Sequence, residues 1–163
     1  MRQLIKGRAL VEDSWFLAGM DEGEASGPVV LSLAEFVAAR AAGADAAATA
    51  PRLVPADVDL SPLEPWVASL PLVAITFPSS GDGRGYTQAR LLRDRYGYRG
   101  ELRAVGNGVR VDQVYFLARC GFDSFDLAPG EKPDIAIAQL DRFTVAYQES
   151  PDGLVRPRQR YGS

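Results

Sequence analysis

Side chains able to hold an anion are concentrated in two glycine-punctuated runs, Phe77-Pro-Ser-Ser-Gly-Asp-Gly-Arg-Gly-Tyr86 and Gly106-Asn-Gly-Val-Arg-Val-Asp-Gln113. The Arg84 guanidinium is a planar fork that matches an oxyanion or carboxylate through two hydrogen bonds. Successive loop amides beside it, from Ser79 through Ser80, Gly81, Asp82 and Gly83, can form a nest for the same charge. Asn107, Arg110 and Gln113 supply further donors from the second run. Neither run is a Walker A loop, because no Gly-Lys-Ser/Thr follows, and neither is a GxGxxG fingerprint. The competing reading is that these glycines only permit tight turns with positive φ. Asp82 and Asp112 could serve as general bases or could lock Arg84 and Arg110 in place. The second role is favoured, since an aspartate beside an arginine is held ionised and is a weak base.

The absences in the chain restrict its chemistry further. There is no histidine and only one cysteine, Cys120. A Ser-His-Asp or Cys-His mechanism therefore cannot be built within one chain, nor can a histidine-ligated metal site. An internal disulfide, a CxxC pair and a four-thiolate cluster are excluded by the same count. Cys120 follows an arginine but closes a helical pattern, where the helix dipole disfavours a thiolate, so it reads as a packed core residue. No intrinsic cofactor and no metal are expected.

At 163 residues, with 47% apolar and 24% charged side chains, the chain fits one globular domain. No apolar run approaches the ~20 residues that cross a bilayer, and residues 1–8 lack the apolar core of a secretory signal. A cytoplasmic protein that does not enter a membrane is expected. The net charge of −3 is unevenly placed: residues 79–119 hold eight arginines against four acids, +4, which leaves −7 elsewhere. A basic centre in an acidic chain suits a small anion or an acidic protein surface. Nucleic acid is not expected at a pI near 5.0. Arg93, Arg95 and Arg99 read as a solvated face paired with Asp94 and Glu101.

The elements that must position these groups follow from the apolar pattern. Residues 9–17 read as an entry strand or hairpin arm and residues 28–31 as a short strand. A capping box, Ser32 to Glu35, opens a helix that Gly43 ends. Residues 44–50 read as low-complexity alanine, either a frayed extension of that helix or a loose linker, and residues 53–60 as a weak strand around a proline. Ser61-Pro-Leu-Glu64 reads as a capped helix start. Strands at 72–77, 101–105 and 124–127 alternate with helices at 86–96 and 111–120. A helix at 135–143 and a strand at 144–147 complete the pattern. Near-continuous apolar strands alternating with helices call for right-handed crossovers and parallel pairing. The expected fold is α/β, a mainly parallel sheet with helices packed on it, either doubly wound or half-barrel-like. It is read as a single domain over residues 1–149 with a polar tail over 150–163. In either form the two glycine runs fall at the same, C-terminal ends of neighbouring strands, where open α/β sheets bind ligands. Trp15 and Trp66 read as core or interface anchors, and a homodimer through Trp15 or Trp66 is a further reading.

The stretch 77–86, with Gln88-Ala-Arg-Leu-Leu-Arg93, Tyr96-Gly, Arg99-Gly-Glu-Leu-Arg-Ala104, Asp112-Gln113 and Arg119-Cys-Gly-Phe-Asp123, resembles an uncharacterised bacterial family labelled as an oxidoreductase of sulfite reduction. Ile5, Gly7, Asp13, Trp15 and the run 28–35 extend the resemblance to nearly the whole chain. Genes of that family commonly neighbour the sulfite reductase haemoprotein. The resemblance implies an accessory protein of assimilatory sulfite reduction that docks on the haemoprotein and aids electron or substrate delivery, or assembly. It implies no catalytic residues. The alternative drawn from the residues themselves is an α/β enzyme or carrier that binds a small anion, or a flavin, at the Gly81–Gly85 loop.

Overall fold

A computed structural model describes residues 3–148, with side chains described for 4–142. Strands β1 (Gln3–Lys6) and β2 (Ala9–Glu12) form an antiparallel hairpin. Six further strands follow: β3 (Phe16–Leu17), β4 (Val29–Ser32), β5 (Thr49–Leu53), β6 (Leu72–Thr76), β7 (Glu101–Val105) and β8 (Ser124–Phe125). All eight join one sheet in the order β2-β1-β8-β7-β6-β5-β4-β3, parallel from β3 through β8. Because β3 through β8 follow one another in sequence order without reversal, right-handed crossovers deliver every segment connecting them to one face. The strand order therefore decides for the half-barrel over the doubly wound form.

Curling is forced by chain length. The first and last strands of the sheet, β2 and β3, are joined by only Asp13, Ser14 and Trp15. That link reaches about 14 Å at most, whereas seven spacings of a flat sheet amount to about 33 Å. The sheet has to bring its two edges toward each other.

The outer face carries the main core. Helices α1 (Leu33–Ala41), α2 (Arg84–Arg90), α3 (Val114–Arg119) and α4 (Pro133–Gln148) cover it, burying Phe36, Ala89, Val114, Leu117 and Ala136 against Leu53, Val73, Ile75, Leu102 and Ala104. The alternate strand residues face the concave side, where Leu17, Val30, Ala50, Leu72, Ala74 and Val105 pack with Trp15. Strand alternation thus sorts one sheet into two apolar surfaces.

The concave face also holds a buried ion network. Arg103 donates to Asp13 Oδ1 from Nη1 at 2.8 Å and to Glu101 Oε2 from Nη2 at 2.8 Å. Lys6 Nζ lies 2.9 Å from Glu101 Oε1, and Ser124 Oγ donates to Glu101 Oε2. The Asp13 and Arg103 side chains are 1% and 3% exposed. Asp13 Oδ1 also accepts the Trp15 N–H at 3.0 Å, so the carboxylate that pairs with β7 also shapes the link between the sheet edges. Burial acts to raise the Glu101 carboxyl, but the Arg103 charge and the bonds from Ser124, Lys6 and Arg103 outweigh it and hold the group low.

Several sequence expectations are corrected. The supposed alanine linker contributes Thr49 and Ala50 to β5, and Pro51 stands inside that central strand. Alanine and proline carry no strand signal, so tertiary pairing alone reveals it. Ser61 is not a cap: Ser61–Ser69 is a 3₁₀ helix preceded by Leu60, and Asp59 Oδ1 accepts the Ser61 N–H. Residues 144–147 continue α4 instead of forming a strand. The pattern at 111–120 becomes helical only from Val114. Ser32 does cap α1, its Oγ accepting the Glu35 N–H at 3.3 Å. The expected tail, 150–163, lies outside the described residues. No helix among the described residues is long and apolar enough to cross a membrane.

Breaking a buried pair by neutralising one partner typically costs about 3–5 kcal/mol. Asp13→Asn keeps the shape and removes the charge, so urea unfolding of this variant is expected to show a loss of that order, against a change of about 0.5 kcal/mol or less for the exposed control Glu12→Gln. Glu101 has its folded-state pKa lowered. Its stabilisation is therefore complete above the unfolded value of about 4.3 and is lost as pH falls through the folded value. Denaturation measured from pH 7 to pH 3 is expected to steepen below about pH 4.3 in the wild type, and that part of the slope is expected to vanish in Glu101→Gln.

Candidate functional site

β6 and β7 run parallel in register from Leu72↔Glu101 to Thr76↔Val105, so their exits emerge side by side. The loops that follow are locked together. Phe77 N–H donates to Val105 O at 2.8 Å, and Gly108 N–H donates to Phe77 O at 2.7 Å. Gly106, at φ 107°, and Gly108 are required there. A Cβ on Gly106 would lie 2.6 Å from Phe77 O, and one on Gly108 would lie 2.5 Å from Ser79 O. Here the need for glycine is close approach of two backbones, with positive φ at Gly106 in addition. Gly85 has the same role against a side chain, since a Cβ would meet the Phe77 ring at 2.5 Å.

The sequence-nominated residues all gather at these two loops, but they are arranged differently from an open clamp. Ser79 and Ser80 are exposed, and the Ser79 carbonyl accepts the Asp82 N–H at 3.3 Å. Gly81 and Gly83 are exposed, and Gly83 precedes α2. Arg84 closes onto Asp82 through Nε at 3.0 Å and Nη2 at 2.8 Å, while its own N–H donates to Asp82 Oδ1. Those bonds hold the Asp82 carboxyl at about 2. Asp82 is thus a lock on Arg84, whose side chain is nevertheless 62% exposed. A ligand at this fork would have to share or displace that carboxylate.

In the second loop Arg110 is 51% exposed and lies 3.8 Å from Glu131, not against Asp112. Glu131 Oε1 accepts the Val111 N–H at 2.8 Å. Asn107 is exposed. Gln113 Oε1 accepts the Tyr86 hydroxyl at 3.2 Å, which bridges α2 to the turn before α3. Tyr86 stacks edge-on with Phe77 at 5.2 Å and with Phe116 at 6.1 Å. Phe116 is itself 59% exposed. The outer surface over α2 and α3 therefore combines Arg84, Arg90, Tyr86, Phe116 and Arg119, with Arg119 over the Tyr115 ring at 5.8 Å.

Arg93 departs from the expected solvated face. It projects from a π-helical turn, Leu91–Arg95, that follows α2 directly. Its Nη1 donates to the carbonyls of Tyr98 and Gly100, and its Nη2 to Gly121 O and Asp123 Oδ2, all between 2.7 and 2.9 Å. This guanidinium pins the ends of two helices to the strand entries. Glu101, expected to pair with the same arginines, faces the concave side with Arg103 instead. Arg95 and Arg99 are exposed. Cys120 packs against the main core, and burial pushes its thiol up despite Arg90 and Arg119 nearby. It is not an activated nucleophile.

Sequence reasoning missed Arg52. It was hidden in the stretch between the alanine linker and the weak strand, and without β5 its position had no meaning. On β5 it faces the concave side, its Nη1 donating to Thr76 Oγ1 at 3.3 Å and its Nη2 to Ala18 O at 3.4 Å.

The chain belongs to the family described as bacterial protein of unknown function (DUF934), whose model matches residues 53–156. All the loop residues described above fall inside that span. No curated protein and no solved structure matches the chain.

A methyl group placed 2.5 Å from a backbone oxygen forces the two loops apart. Gly108→Ala is expected to lower stability by about 1–3 kcal/mol, and amide exchange is expected to speed up at Phe77, Ser79 and Gly108 more than in the core of α1.

Proposed function

We propose that this family member is a cytoplasmic accessory protein of sulfite reduction, which docks on the sulfite reductase haemoprotein through the outer surface of α2 and α3 and helps deliver electrons or substrate. One observation carries the reading. Of the eight arginines between residues 79 and 119, Arg93 and Arg103 are buried and paired, while Arg84, Arg90, Arg95, Arg99, Arg110 and Arg119 are exposed. Beside them stand Tyr86 and the exposed ring of Phe116. An exposed aromatic ring on a surface rich in exposed arginines has the composition of a protein-binding surface suited to an acidic partner.

The chain's own chemistry points the same way. With no histidine and a single thiol that burial keeps protonated, its side chains offer little to an electron-transfer step. A role beside a redox protein fits those side chains better than independent turnover. The resemblance of the run 77–123 to a family associated with sulfite reduction supports the choice of partner.

A sulfite reductase haemoprotein from the same organism is the reagent for the test. Surface interferometry is expected to show a complex whose affinity falls with added salt, because exposed charge pairs are screened within about 8 Å at physiological ionic strength. Arg84→Glu with Arg110→Glu is expected to weaken it at least tenfold, and Phe116→Ala by a similar factor, with sulfide production by the mixture reduced in parallel. Absence of a complex, or an affinity indifferent to all three substitutions, rejects the proposal.

A further inference from the structure

Among the described residues, the charged side chains of the concave face are paired with opposite charge except at one place. Lys6 and Arg103 are matched by Asp13 and Glu101. Arg52 stands in the same row. It is in register with Ala74 of β6, and Ala74 is in register with Arg103 of β7, so the two arginines lie on either side of one alanine. No carboxylate of the described residues lies within 4.0 Å of the Arg52 guanidinium. Asp21, in the loop after β3, uses its Oδ2 to accept the Leu17 N–H at 2.7 Å.

The neutral partners of Arg52 are weak. Its two contacts, 3.3 Å to Thr76 Oγ1 and 3.4 Å to Ala18 O, are beyond the usual 2.7–3.2 Å range. Its Nε is buried and has no hydrogen-bond partner. An arginine so placed keeps its charge, and leaving that charge uncompensated costs free energy. The side chain remains partly exposed, so the compensating charge can come from solution. Gly19, at φ 82°, makes room, since a Cβ there would lie 3.3 Å from Nη2. The concave neighbours Ala50 and Ala74 are small. Arg52 and Thr76 stand at the C-terminal ends of β5 and β6, the end at which parallel sheets place their ligands.

From these features we infer that the mouth of the half-barrel holds a small oxyanion, seated on the Arg52 guanidinium with the Thr76 hydroxyl as a second donor. The site is separate from Arg84, whose fork is already taken by Asp82. Sulfate, sulfite and phosphate share the chemistry that the fork recognises, namely two oxygens in one plane carrying negative charge.

Calorimetry with each of the three anions, at constant ionic strength set with chloride, tests the site. Saturable binding of at least one is expected. It is expected to weaken at least tenfold in Arg52→Gln, to weaken several-fold in Thr76→Val, and to be unchanged in Arg84→Ala. Thermal unfolding separates a binding role from a structural one. In chloride alone Arg52→Gln is expected to melt no lower than the wild type, since it removes an uncompensated charge. In the anion, the wild type is expected to gain several degrees that the variant does not gain. No binding in the wild type, binding that survives in Arg52→Gln, binding lost in Arg84→Ala, or a lower melting temperature for Arg52→Gln in chloride would each overturn the inference.

Discussion

The bond between Asp13 and Arg103 joins the two facts on which the rest of this molecule depends. One is the three-residue link between the outermost strands, which leaves the sheet no choice but to curl. The other is the buried charge on β7, which needs a carboxylate to be tolerated inside. Asp13 answers both, because its carboxylate takes the guanidinium and the Trp15 N–H together. Curling then gives the sheet a convex side for helices and a concave side small enough to be filled by Leu17, Val30, Leu72 and their neighbours.

From that arrangement comes a division of labour among the arginines. Arg103 and Arg93 are structural, each hydrogen-bonded at both terminal nitrogens to carboxylate or carbonyl oxygens and hidden from water. Arg84 is held by a neighbouring carboxylate yet exposed, which suits a surface that meets another macromolecule. Arg52 is neither fully satisfied nor fully exposed. One residue type thus occupies three environments, and the difference is set by what the fold brings within 4 Å. The glycines divide similarly. Gly106 and Gly108 let two strand exits share hydrogen bonds, whereas Gly81 and Gly83 have open space where a Cβ would sit.

Much of the frame could be read directly. The strands at 72–76 and 101–105 and the Ser32 cap follow from runs of apolar residues and from one hydroxyl three residues before a glutamate. Their interactions are local, so local sequence carries them. β5 could not be read, because Ala50 has little strand preference and Pro51 lacks the N–H a central strand uses, so the segment becomes a strand only between β4 and β6. The π turn at Leu91–Arg95 was equally hidden: helical spacing put Arg93 on a surface, but one widened turn and the carbonyls of Tyr98, Gly100 and Gly121 draw it inward.

By itself the amino-acid sequence determined that strands and helices alternate, that two glycine loops follow neighbouring strands, and that no histidine-dependent chemistry is available within the chain. Those properties depend on residue type and on spacing within a few positions. The tertiary structure alone decided that the sheet curls into a half-barrel, that Arg93 and Arg103 are buried, and that Arg52 faces the hollow with no carboxylate of the described residues against it. The reason is distance along the chain. Asp13 and Arg103 are 90 residues apart, and a guanidinium is the same in sequence whether its partner is a carboxylate, a carbonyl or nothing.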